Sequence, residues 1–389
     1  MTTAAPAQAP APSAPRRVLL IAGEASGDMH GGDLVTALRV RCPDVRVEGI
    51  GGPRLRAAGM DTVIDAGEIA AMGLVEARER LGAIVRAYRR MRRMLIDTRP
   101  DLLIVIDFPE FNLALAAVAK RHGVPVLYYI SPQVWAWRAR RVHKIARRVD
   151  RLAVVFPFEA ALYAETGMQP DFVGHPLLDR VEATGDRAAT FARHGLDPAR
   201  RLVTLLPGSR SKELRFLMPP MADAARRLVA RGDVQCVVAL ADALSESEVP
   251  ASIPGEELPA RVVAGDTYEL VAASDVVLVA SGTATLETAL LERPMVIVYR
   301  MSPLTFALAR RLVSVPFIGM PNLIAGTPVV PELIQHEATG ARMAEEAARF
   351  LDDAELHART CAALARLRPA LGGGGAADRA AAIAEEMLA

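Results

Sequence analysis

Three observations predict an α/β protein of two facing lobes with a cleft between them. Short apolar runs alternate with stretches of helical spacing, the pattern of parallel βαβ units. The pattern weakens between about residues 176 and 200, where charge rises, and then begins again. The length, 389 residues, is too great for one ordinary core and suits two of roughly 150 to 200 residues.

Residues 17–22 read as a first strand, followed by a Gly-rich turn and a helix to about residue 41. A second strand is expected at 45–50, a helix at 81–98 and, after Pro100, a strand at 102–106. A helix at 111–122 leads to a strand at 126–130, with β-like runs at 152–156 and 171–173. The second half has a strand at 202–206, a helix at 213–230 and strands at 235–240, 261–263, 276–279 and 295–299. From residue 341 the chain is Ala-rich and helical, broken at 372–375. The expected division is a tail at 1–15, an N-lobe at 16–178 and a C-lobe at 179–344. The C-terminal helices, about 345–389, are expected to complete the N-lobe of this chain or of another copy.

Composition narrows the class. Hydrophobic residues make up 51% and charged residues 23%, a globular balance. A net charge of +1 argues against a general polyanion binder, and no nucleic-acid partner is expected. Cys42, Cys236 and Cys361 have no CxxC spacing, which excludes a cysteine zinc site and a disulfide scaffold and fits a reducing cytoplasm. The first fifteen residues lack an apolar core and are expected to form a disordered tail rather than a signal peptide. No charge-free apolar run approaches the roughly 18 residues of a spanning helix.

In open parallel sheets, ligands sit beyond the carboxyl ends of the strands, so the loops there hold the candidate chemistry. The segment ASGTATLE at 280–287 joins a buried strand to a helix. Its small residues, Gly282 and Ala284 among them, let backbone N–H groups approach a ligand, and the helix N-terminus favours a phosphate. Ser281, Thr283 and Thr285 add hydroxyls, and Glu287 is placed to accept two sugar hydroxyls, as ribose demands. An ordinary capped helix reads the same way. The segment LPGSRSKE at 206–213 also runs from strand to helix. Gly208 and Ser209 offer donors there, and Arg210 offers a planar fork for phosphate oxygens; a surface turn is the alternative. Two such anion sites in one lobe point to a diphosphate. Neither matches GxxxxGK[ST], which argues against a P-loop ATPase.

The N-lobe turn AGEASGDMHGG at 22–32 has ligand-approaching glycines without GxGxxG spacing, so a nicotinamide dinucleotide is disfavoured. Ser26 lacks the GxSxG frame of a hydrolase elbow. Glu24 and Asp28 place acids at the cleft and at a helix N-terminus, where Asp28 can equally act as a cap. Asp107 stands alone at the carboxyl end of a very apolar strand. Partial desolvation there raises a carboxyl toward the range of a useful general base; capping the next helix is the alternative. Both tryptophans, Trp135 and Trp137, fall in SPQVWAWR at 131–138, a sugar or acyl surface or partial core. His175 lies at the lobe junction, as a ligand contact or a structural residue.

Charge is uneven. Arg78, Arg80, Arg86, Arg89, Arg90, Arg92, Arg93 and Arg99 cluster on one N-lobe segment with few acids. The same segment carries Met72, Leu74, Val75, Leu81, Ile84 and Val85. Apolar residues among arginines suit an anionic membrane surface; a solvated helix with its apolar side in the core is the alternative. No Asp-x-Asp pair occurs, so no metal and no cofactor is expected, and dipoles with Arg210 must stabilise a diphosphate leaving group.

Seven segments together resemble the lipid-A-disaccharide synthase family, inverting glycosyltransferases with a GT-B fold of two facing Rossmann-like lobes. They are AGEASGD at 22–28, AMGLVE at 71–76, IDFPEFN at 106–112, YISPQVWAWR at 129–138, LPGSR at 206–210, ASGTATLE at 280–287 and MPNLI at 320–324. They follow the family's order from residue 16 to about 337. The resemblance implies transfer of 2,3-diacylglucosamine from UDP-2,3-diacylglucosamine to the 6-hydroxyl of 2,3-diacylglucosamine 1-phosphate, giving a β-1,6 disaccharide 1-phosphate and UDP. It implies Asp107 as general base, Gly208, Ser209 and Arg210 on the diphosphate, Ser281 to Glu287 on UDP with Glu287 on ribose, and Asn322 near the nucleotide. It also implies a cytoplasmic enzyme attached peripherally to the inner membrane; a homodimer is compatible with it. A peptidoglycan-type N-acetylglucosaminyltransferase, a UDP-sugar 2-epimerase and a non-catalytic UDP-sugar sensor remain as alternatives on the same fold.

Overall fold

A computed structural model of the chain describes residues 15–70, 77–132, 141–182, 185–241, 244–253, 255, 257–303, 305–306 and 315–389. Most of the tail, both tryptophans and the expected membrane contacts Met72, Leu74 and Val75 lie outside the described residues, as does the side chain of Leu81.

The N-lobe is one parallel sheet in the order β3-β2-β1-β4-β5-β6-β7. Its central strands, β1 (Arg17–Ala22), β4 (Leu102–Ile106) and β5 (Val126–Tyr129), are apolar on both faces because helices cover both faces. β2 (Arg46–Gly51) and β3 (Asp61–Asp65) extend one side, and β6 (Arg151–Val154) and β7 (Asp171–Phe172) the other. The helices that matter for the site are α1 (Ala25–Arg41), α2 (Pro53–Ala57), α3 (Ala77–Thr98) and α4 (Pro109–Arg121).

The C-lobe repeats the plan as β10-β9-β8-β11-β12-β13, again parallel throughout. Its strands are β8 (Arg201–Leu206), β9 (Val234–Leu240), β10 (Ala260–Ala264), β11 (Val276–Ala280), β12 (Met295–Tyr299) and β13 (Glu332–Ile334). The first helix is α5 (Ser211–Val229), followed by α6 (Thr267–Ala273), α7 (Thr283–Leu290) and α8 (Gly340–Asp352). Then α9 (Ala354–Ala365) packs on α7, while α8 lies on α5 and β11.

Both sheets reverse their winding at one place: between β1 and β4 in the N-lobe, and between β8 and β11 in the C-lobe. A crevice opens beyond the carboxyl ends of the strands at each such switch point. The lobes meet through a shared buried cluster in which Leu286 and Leu290 of α7 join Ile106, Tyr129 and Leu177 of the N-lobe.

The last helix, α10 (Ala376–Leu388), leaves the C-lobe and packs against α1 of the same chain. Its buried Ala380, Ala381, Ala384 and Leu388 belong to the same cluster as Leu34 and Leu38. Asp179 accepts from the Gly375 N–H at 2.7 Å, and Arg379 donates to the Val173 carbonyl at 2.9 Å, which pins the crossing point. Residues 340–365 stay with the C-lobe, so the returning part is shorter than the expected 345–389.

Candidate active site

At the N-lobe switch point the chain leaves β4 into Asp107 and Phe108, both left-handed, with φ of 47° and 45°. Two successive non-glycine residues in this region are strained, so surrounding contacts must hold them. Tyr128, fully buried, donates its hydroxyl to the Asp107 carbonyl at 2.5 Å. Asn112, also fully buried, donates its amide to the same carbonyl at 2.6 Å and to that of Ile106 at 3.1 Å. Phe108 stacks on Phe111 with centroids 5.0 Å apart, and Gly23 makes room for it: a Cβ there would lie 2.6 Å from the ring. Pro109 then opens α4 at a position where its missing N–H is harmless.

The turn presents the Asp107 carboxylate beside Glu24, from the loop after β1. Burial first, and then the Glu24 charge, push the Asp107 carboxyl up to about 6, against a smaller opposing effect of the Phe108 N–H. A carboxyl in that range is ionised at neutral pH yet basic enough to accept a proton from a hydroxyl as the bond forms. Glu24 and Ser26 are exposed at the start of α1.

Asp28 and His175 have structural partners instead. Asp28 accepts three N–H groups, from Gly52 at 2.6 Å, Arg54 at 3.0 Å and Leu55 at 3.1 Å, so it caps α2 rather than its own helix. His175 Nδ1 accepts from the Leu177 N–H at 3.2 Å, and the ring rests on Phe156. Burial, with a smaller push from His30, holds it down to about 3, so it stays neutral.

The C-lobe crevice is a pocket of about 650 Å³ lined by the loops after β8, β10 and β11. Gly208, Ser209, Arg210, Ser281, Gly282, Thr283, Ala284 and Glu287 all line it. Gly208 has a φ of +113°, and a Cβ there would collide with Glu213. Glu213, in the first turn of α5, accepts from the Ser209 N–H at 2.9 Å and from Arg210 at 3.2 Å. A carboxylate thus occupies donors of the kind that meet phosphate oxygens at a helix N-terminus. On the other side, Ser281 Oγ donates to the Ile318 carbonyl at 3.1 Å, and α7 begins at Thr283.

Glu287 lies deeper. Tyr268 donates its hydroxyl to Glu287 Oε1 at 2.9 Å, and burial raises the Glu287 carboxyl, an effect the Tyr268 bond partly opposes. Thr285 and Asn322 are fully buried and do not line the pocket. Thr285 donates to the Gly282 carbonyl at 2.8 Å, and Asn322 clasps Val330 through both its N–H and its carbonyl.

One wall has no counterpart among the sequence-derived candidates: Gly265, Asp266, Thr267, Tyr268 and Glu269, after β10. The same signal is present there, a glycine between a short strand and a helix start, with Asp266 left-handed at a φ of 52°.

A family model described as lipid-A-disaccharide synthetase matches residues 18–386. The chain belongs to the lipid-A-disaccharide synthase family. The lipid-A-disaccharide synthase of Geobacter metallireducens is 49% identical over 375 residues, which are 96% of this chain and 97% of that relative. That of Myxococcus xanthus is 42% identical over 96% of this chain and 98% of its own length. Among solved structures, an S. aureus MnaA–UDP complex aligns with a TM-score of 0.64 at 14% identity over 94% of each chain. Acinetobacter baumannii MurG aligns with a TM-score of 0.56 at 13% identity, over 96% of this chain and all of the other. A lipid-A-disaccharide synthase is a glycosyltransferase of lipid A biosynthesis, and the two parallel-sheet lobes give this member the GT-B fold.

Proposed function

We propose that this synthase uses Asp107 as the general base for transfer of 2,3-diacylglucosamine from its UDP derivative to 2,3-diacylglucosamine 1-phosphate. The observation that carries the assignment is a strained, clamped carboxylate raised to about 6 at the N-lobe switch point. Asp107 takes the proton of the acceptor 6-hydroxyl as its oxygen attacks the donor anomeric carbon from the face opposite the leaving group. The bond to the diphosphate breaks and UDP departs with its electron pair. Arg210 and the backbone donors that open α5 and α7 meet the charge that develops there. Glu287, oriented by Tyr268, is suited to accept the ribose hydroxyls.

Both substrates carry acyl chains, and the basic side of α3 supports peripheral attachment to an anionic membrane at its cytoplasmic face. Arg86, Arg89, Arg90, Arg92 and Arg93 are exposed, and none forms an ion pair among the described residues. Ala87, Met91 and Leu95 bury the opposite side, and Ile84 leans on that core, while among the described side chains of α3 Val85 is the exposed large apolar one. No helix among the described residues is long and apolar enough to cross a membrane.

Purified protein in detergent is expected to release UDP and form disaccharide only when both lipids are present, with and without a chelator. Asp107→Asn is expected to abolish turnover while UDP still binds. Equal loss of UDP affinity would reduce Asp107 to a structural turn residue.

A further inference from the structure

We propose that a second pocket, on the far side of the first turns of α5, seats an acyl chain of the nucleotide-sugar donor. It has a volume of about 590 Å³, within the range of ligand sites. This rests on the reading of the C-lobe crevice as the UDP half of the active site.

The two pockets share a wall. Glu213 faces the UDP crevice, while Arg215, Phe216 and Pro219 of the same helix line the second pocket. Tyr299, at the end of β12, lies near enough to Glu213 that this carboxylate, after burial, pushes its phenol up. The next two residues, Arg300 and Met301, form the opposite side.

That side is held in place by Gln335, a left-handed residue with φ of 57°. Its side chain accepts from the Met301 N–H at 2.9 Å and donates to the Met301 carbonyl at 2.6 Å. Its own N–H donates to the Tyr299 carbonyl at 2.8 Å. Strain kept by three backbone bonds at a pocket wall marks a built feature rather than a loose loop. On the α5 side, Pro219 and Pro220 leave the carbonyls of Arg215 and Phe216 without their helical donors.

The chemistry is that of an amphiphile. Phe216, Met301 and Phe306 supply apolar surface under a rim of Arg215, Arg300 and His336. Arg300 and His336 have no ion pair among the described residues, and Arg215 senses Glu248 only at longer range. The two arginines over an apolar floor complement a molecule that joins phosphate to alkyl chain. Both substrates do so, and the donor is the one whose diphosphate would lie in the adjoining crevice. Its diphosphate is anchored one helical turn away, and its acyl chains hang from the sugar that follows.

The test uses the whole protein and UDP-glucosamine donors of decreasing acyl length, kept monomeric in detergent-free buffer. For the parent, donor KM is expected to rise about fourfold for each buried methylene removed. Phe216→Ala, and separately Phe306→Ala, are expected to flatten that dependence while the Kd for plain UDP, which also reports folding, stays unchanged. Retention of the parent's slope by both variants overturns the proposal. So does loss of binding to anionic vesicles with the slope intact, since the pocket would then touch bilayer rather than donor. Failure of the parent to bind UDP would instead overturn the nucleotide reading of the crevice.

Discussion

The side-chain amide of Asn112 donates to the carbonyl of Asp107 at 2.6 Å, so the proposed base is held through its own backbone, with the Phe108 N–H as a further bond to its carboxylate. Asn112 thus fixes the strained turn without occupying the carboxylate. Asn112→Ala is expected to lower kcat at least tenfold and to destabilise the fold by about 1–3 kcal/mol, because the Ile106 and Asp107 carbonyls each lose a donor, although Tyr128 still bonds the second. UDP affinity, measured by calorimetry, should stay within about twofold of the parent for a change confined to the other lobe. A parallel fall in UDP affinity would mean that Asn112 supports the whole interlobe packing instead.

The raised carboxyl of Asp107 makes two pH predictions. A base must be ionised, so kcat/KM is expected to climb with pH through about 6 and then level off. For stability the sign is opposite. Between the ordinary value of 3.8 and about 6, the folded chain holds a proton that the unfolded chain has lost, so stability falls as pH rises. Above about 6 the desolvated charge is a constant burden of up to about 3 kcal/mol. Asp107→Asn should therefore melt higher than the parent at pH 8, with a smaller gap at pH 5. Equal gaps at both pH values would show that the carboxylate is well solvated.

Glu287 and Tyr268 make a prediction about the sugar of the nucleotide. Glu287→Gln is expected to weaken UDP binding tenfold or more, in line with about 1.5–3 kcal/mol for a charge-assisted bond. Tyr268→Phe should have a smaller effect, about 0.5–1.5 kcal/mol. The deciding measurement is 2′-deoxy-UDP, which the parent should bind more weakly than UDP and Glu287→Gln should not distinguish. Equal losses for both nucleotides would make Glu287 a support for α7.

The exposed arginines of α3 predict salt-sensitive attachment. Arg89 and Arg93 are one turn apart on the same face, and each contributes about 1 kcal/mol near an anionic surface. Reversing both to Glu is expected to lower binding to anionic vesicles at least tenfold at 0.1 M salt. High salt should release the parent in the same way. Activity on detergent-dispersed substrates should be unaffected; loss there would place these residues in the fold or the site.

Much of the fold is legible in the residue pattern alone. Strands 17–22, 102–106 and 295–299 are readable to the residue because interior parallel strands are continuous apolar runs. The two strands that the pattern does not reveal, β3 and β13, are both sheet edges. Asp61–Asp65 is half-exposed and carries acids at both ends, and Glu332–Ile334 is three residues long, so neither has a periodic signal. The two phosphate-type turns are visible because glycine and small residues stand between strand and helix. The third wall, at 265–269, carries the same signal less conspicuously. Asp28 and Asn322 show the limit. Their partners, Gly52 and Val330, are bonded through the backbone, and backbone partners leave no trace in side-chain pattern.

The return of α10 to α1 has a consequence for how the polypeptide is made. Residues 17–172 leave the ribosome before the C-lobe, yet the side of α1 turned away from β1, β2 and α2 lacks its α10 cover until residues 376–388 follow. During synthesis the N-lobe must wait, incomplete, while the whole C-lobe emerges and folds behind it. The N-lobe is thus translated ahead of the C-lobe and finished after it, and nascent chains stalled short of Ala376 are the ones that will need a chaperone's protection.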